Sequence, residues 1–103
     1  DTVEMGAGQS LDLIALDDDR ITGIEVIDQS VTGVNAVLLA ANDVSAVSDS
    51  GMLRIAGSAE DNVTANGSWS QIADVQIGSD LYRGFTADGA TLFVDTDVTL
   101  TFA

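Results

Sequence analysis

An all-β chain is what this sequence predicts, and three observations predict it. Apolar residues alternate with polar ones in short runs rich in Val, Ile, Leu and Thr. Those runs are separated by Gly, Asp, Asn and Ser, and the chain has no proline. Finally, 46% of the 103 residues are hydrophobic, enough to offset chain entropy in spite of a net charge of −14. The expected architecture is a short parallel β-solenoid, β-helix-like, in the N-terminal part, with a C-terminal antiparallel meander and one short helix. A β-sandwich is the alternative. Residues 1–103 read as a single β-rich module, large enough to bury roughly two thirds of its unfolded surface.

The elements follow in order. Val3 and Met5 alternate, then Leu11 and Leu13, Ile24 and Val26, Val37 and Leu39, and Leu53 and Ile55. Strand centres are expected near residues 12, 25, 37, 54 and 64, with glycines mostly between them. Ile14, Ile27 and Leu38 occupy the opposite faces. Strands apolar on both faces suit a sheet covered on both sides or a solenoid interior. Residues 42–49 predict a helix of two turns. Asn42 caps it, Asp43 meets the partial positive charge of the first turn, Val44 and Val47 share a face, and Gly51 stops it. Such a helix serves as a connector closing one edge of the core.

From Trp69 onward the turns tighten. Gly78-Ser79-Asp80 and Ala87-Asp88-Gly89 read as hairpin loops, because Gly and Asp accept positive φ cheaply. Antiparallel strands are expected near 71–77, 81–86, 91–95 and 98–102.

Composition excludes a good deal of chemistry. The chain has 17 acidic residues, three arginines (Arg20, Arg54 and Arg83) and no His, Cys or Lys. Zinc sites of the usual kind, thiol nucleophiles and Ser-His-Asp triads are thereby ruled out, and no enzyme activity is expected. An anionic surface repels phosphate, so nucleic acid is not an expected partner. No run of 18 uninterrupted apolar residues is present, so no membrane insertion is expected. Divalent cations are the natural small partners.

The acids fall in clusters that could each supply part of a calcium shell of six to eight oxygens. Asp17-Asp18-Asp19 is the densest, with Glu25 nearby. Glu60 and Asp61 form a second, and Asp95 and Asp97 a third, in which a D-x-D pair on a strand would put both carboxylates on one face. The alternative for each is a solvated acidic turn. Trp69 and Tyr82 offer aromatic faces for a glycan, with core or edge packing as the stronger account.

Several segments carry a resemblance. Ile21-Thr22-Gly23-Ile24-Glu25-Val26-Ile27-Asp28 is similar to an "ITGIE-x-ID" signature, and Leu53-Arg54-Ile55-Ala56-Gly57 opens an "LxIxGdxgDxV" element in which Ser58 and Glu60 depart from the pattern. Residues 35–44 are similar to the strand-then-helix step of the same unit, and Ala90-Thr91-Leu92-Phe93-Val94-Asp95 to its closing part. Residues 5–11 look like a worn copy of the glycine-rich calcium nonapeptide, with Ser10 in the ligand aspartate's place. Together these resemble modules of large type I-secreted bacterial RTX (hemolysin-type calcium-binding) adhesins and surface proteins. The resemblance implies an extracellular, non-catalytic structural or extender module of a much larger chain, at the bacterial cell surface, stiffened by Ca²⁺. Its partners would be neighbouring modules of the same protein. The runners-up are a domain binding a glycan or cell surface through Trp69 and Tyr82, and a domain that docks a protein partner at an open β-edge.

Overall fold

A computed structural model describes residues 2–4, 8, 10–13, 23–29, 34–48, 51–57, 59–78 and 80–102. Most of them lie in ten strands: β1 (Thr2–Glu4), β2 (Ser10–Asp12), β3 (Val26–Asp28), β4 (Ala36–Ala40), β5 (Met52–Ala56), β6 (Asn62–Asn66), β7 (Ser70–Ile77), β8 (Asp80–Ala87), β9 (Ala90–Asp95) and β10 (Thr99–Phe102). One short helix, α1 (Ala41–Val47), follows β4 directly. The chain is thus all-β with a single short helix.

The strands form two sheets. One has six strands in the order β1-β3-β5-β9-β8-β7, and the other four in the order β10-β6-β4-β2. Consecutive strands from β1 to β6 alternate between the sheets, as do β9 and β10, and the pairings among these eight strands are all parallel. Each pair of consecutive strands therefore makes one level, and four levels stack in register. Ile27 sits opposite Ile55, and Ile55 opposite Val94. In the facing sheet Leu11, Val37, Val63 and Leu100 line up in the same way. These columns meet between the sheets in one core of buried Val, Leu and Ile side chains, with Leu11 and Leu100 partly buried at its margin. Burying them is the main favourable term available to a chain this acidic.

The predicted strand positions agree well with the observed ones, but two details differ. Ile27, not Val26, points into the core, because its neighbours Ile55 and Val94 fix the register of β3. The last strand does not join the meander. β7, β8 and β9 are antiparallel neighbours, whereas β10 crosses to the other sheet and pairs parallel with β6. The cause is the turn after β9. The Asp95 carboxylate accepts the Asp97 N–H at 2.9 Å, and the Asp95 carbonyl accepts the Val98 N–H at 3.0 Å. Val98 is thereby driven into the core, and the chain turns through the space between the sheets rather than back along β9.

The turn from β8 to β9 is a two-residue hairpin in which Asp88 and Gly89 have φ of 50° and 82°, as the Asp-Gly pair predicts. The helix starts one residue before the predicted Asn42. Its entry is fixed by Asp43, whose carboxylate reaches back to accept the Ala40 N–H at 2.9 Å. Val44 is fully buried, and α1 packs on β4, β5 and β9, bridging the two sheets.

Candidate functional site

The sequence-predicted acids are best located by the corner at which strands of the six-stranded sheet hand over to the four-stranded one. Three such passages stack, described at Gln29 and 34–35, at Gly57 and 59–61, and at 96–98. Because Asn62 pairs with both Ala36 and Thr99, the residues just before them, Asn35, Asp61 and Val98, occupy equivalent stations. The backbone is tied from level to level here. Asn62 N–H donates to the Asn35 carbonyl at 2.8 Å, and Thr99 N–H to the Asp61 carbonyl at 3.0 Å.

Side chains reinforce the corner. The Asp61 carboxylate accepts the Asn35 N–H at 3.1 Å, and Gln29 donates from Nε2 to the Asn62 carbonyl at 3.3 Å. Gln29, Asn35 and Asp61 are all 0% exposed. A buried carboxylate is tolerable only when its oxygens are occupied, and Asp61 satisfies a backbone donor that would otherwise be buried unpaired. Gly57 faces this ladder closely. A Cβ there would lie 2.6 Å from Val98 Cγ2 and 3.0 Å from Asp61 Oδ2, so only glycine fits.

Asp95 belongs to the same corner. It is nearly buried and accepts the N–H groups of Asp97 and Gly57. Burial pushes its pKa above the usual carboxylate value; the two hydrogen bonds oppose that shift, and the charges of Asp97 and Asp80 add to it. Asp61 and Asp95 therefore flank Gly57 from two sides, while Glu60 and Asp97 point to solvent. The expected D-x-D pair on a strand face is not what forms. Asp95 ends β9 and Asp97 lies in the turn, where its backbone rather than its carboxylate meets Asp95.

Asp17, Asp18 and Asp19 lie outside the described residues. Glu25 precedes β3 and lines a groove on the outer face of the six-stranded sheet, away from the corner. Among the described residues, no group of three or more acidic side chains is placed to share one metal ion. The corner nonetheless brings the Glu60-Asp61 passage and the Asp95–Asp97 turn onto adjacent levels, a placement that local sequence does not reveal.

The two aromatic candidates part company. Trp69, in the connection after β6, donates its Nε1–H to the Asn66 carbonyl at 2.9 Å and packs against the core margin. Tyr82 lies on the outer face of the six-stranded sheet, 3% exposed, with the Arg54 guanidinium 5.5 Å above its ring. Burial raises the Tyr82 pKa; Arg54 opposes the shift, and Asp95, Asp80 and Asp28 add to it. A ring face so covered is not open to stack on a sugar.

One feature escaped the sequence reading. The outer face of the six-stranded sheet carries a groove of about 540 Å³ lined by Val26, Met52, Arg54, Val75, Ile77 and Phe93. The usable signal was adjacent apolar residues on one strand: Val26 beside Ile27, Met52 beside Leu53, and Phe93 beside Leu92. No family model matches the chain, and no curated protein or solved structure matches it either.

Proposed function

We propose that the chain is a non-catalytic structural module, an extender that spaces neighbouring modules of a large RTX-type protein secreted to the bacterial cell surface. In this reading the stacked levels are the turns of a short two-sheeted parallel β-solenoid. The observation that carries it is the unbroken parallel register, in which the corner residues before β4, β6 and β10 repeat level upon level. Such a stack grows by adding levels, each burying its apolar face against the next. The ordered segments that resemble RTX modules support the extracellular setting. The acidic corners give Ca²⁺ a reason to stiffen the joints, since a divalent ion would relieve the repulsion among their carboxylates.

The test is small-angle scattering from two copies joined head to tail, in millimolar Ca²⁺ and in chelator. A rigid rod in Ca²⁺ that loosens in chelator is the expected result. Two beads that swing freely in both conditions would sink the extender reading. A rod in both would keep the extender and remove calcium from it.

A further inference from the structure

Among the described residues, β7 is the end strand of the six-stranded sheet and pairs only with β8. Every residue along it is exposed. In a flat sheet β7 would lie four strand spacings from β3, roughly 19 Å away. Yet Val75 and Ile77 of β7 line the same groove as Val26, which ends that distance only if the hairpin of β7 and β8 bends over the outer face of the sheet. The Ile72 side chain holds the bend. It occupies the space over Gly84, where a Cβ would lie 2.6 Å from Ile72 Cγ1. Past the irregularity between Ile72 and Val75, the segment Val75-Gln76-Ile77 presents a backbone edge with no strand partner among the described residues, beside an apolar trough.

Folded proteins usually blunt such edges with Lys, Pro or an inward charge. Residues 75–77 carry none of these. What surrounds them is acid: Asp74 and Asp80 are exposed at either end of the segment, and Glu25 lines the trough, with Arg54 the single opposing charge among its lining residues. Two copies of a chain with a net charge of −14 repel one another, so self-pairing along this edge is disfavoured.

We propose that the β7 edge is a docking site for an extended partner segment with alternating apolar and basic side chains, which adds a strand beside Val75-Gln76-Ile77. Its backbone completes the ladder, its apolar residues fill the trough over Met52 and Phe93, and its basic residues meet Asp74, Asp80 and Glu25. This inference is independent of the extender reading. It gives the module an interaction besides end-to-end stacking.

The probe is a blocked synthetic peptide of alternating valine and lysine, about ten residues long. A glycine–lysine peptide of the same length and charge measures the purely electrostatic attraction. Titration calorimetry is expected to give the valine peptide an affinity at least about tenfold higher, a margin that one well-buried valine can supply. Ile77→Asp, a substitution at an exposed site, is expected to abolish that margin although it adds negative charge; circular dichroism verifies its fold. Equal affinities for the two peptides, or an unchanged margin in Ile77→Asp, would overturn the proposal. So would a dimer of the unmodified chain in sedimentation that Ile77→Asp dissolves, since the edge would then belong to a second copy.

Discussion

The stacked levels and the hairpin of β7 and β8 are built from the same alternating Val, Ile and Leu, yet they use it in opposite ways. In the levels one apolar column per strand is sealed against the facing sheet, so Leu53, Ile55, Leu92 and Val94 are all fully buried. In β7 the alternating Ile72, Val75 and Ile77 all remain more than a third exposed. β8 stands between the two regimes. Its core-side Phe85 meets Phe102 edge-on at 5.1 Å, and Arg83 donates from Nη2 to the Val98 carbonyl at 2.9 Å, so this strand closes the last level against β10. Alternation thus reports that a strand exists. Whether its apolar face is sealed depends on what the topology places opposite.

The sharpest way to break that comparison is to truncate one residue of each kind. Leu53→Ala removes a side chain from the middle of the core and is expected to cost about 2–5 kcal/mol, which lowers the melting temperature by tens of degrees in a domain this small. Val75→Ala is expected to stay within about 0.5 kcal/mol of the parent chain. Comparable losses in chemical denaturation would mean that β7 is as well sealed as β5.

Two glycines offer a finer version. Gly57→Ala drives a Cβ into Val98, which is itself buried and cannot yield, at an expected cost of about 1–3 kcal/mol. Gly84→Ala meets Ile72, whose exposed side chain can swing away, and the Ala73 carbonyl oxygen at 3.0 Å, which an end strand can shift by a few tenths of an ångström, so its cost is expected to be smaller. The reverse order in thermal melts would contradict the division between a rigid corner and an adjustable hairpin.

The smallest effect concerns pH. The pKa of Asp95 is raised in the folded chain, so the folded state holds that proton more tightly than the unfolded state does. The stability linked to this group is therefore fully present below the ordinary aspartate pKa of about 3.9, and it is lost as pH rises through the raised value. Asp95→Asn cannot titrate. Its melting temperature relative to the parent chain should fall as the pH is lowered from 7 towards 4, and a constant difference across that range would show that burial does not govern Asp95.

Much of this was legible in the amino acids. The strand segments, the Asp-Gly hairpin and a helix beginning near Asn42 follow from local alternation and turn chemistry, which neighbours in sequence decide. The partner of residues 99–102 was not legible, because nothing near them announces that they pair with β6 rather than β9. That choice is made by the turn at Asp95 and by the burial of Val98. The acids show the same limit. Asp61 and its neighbour Glu60 look alike in the sequence, yet one is sealed into the corner and bonded to Asn35 while the other faces water. Side-chain direction there is set by the level below, whose Asn35 N–H needs an acceptor.

Because consecutive strands of a level sit in opposite sheets, a level has no hydrogen-bonded ladder of its own; the rungs of an inner level are shared with the levels on either side. Melting one level in the middle of the stack would cut both sheets at the same height. The two sheets are therefore held together in the manner of a chain of links rather than a woven cloth, and α1, packed across β4, β5 and β9, is the strap that ties the inner levels to the last one.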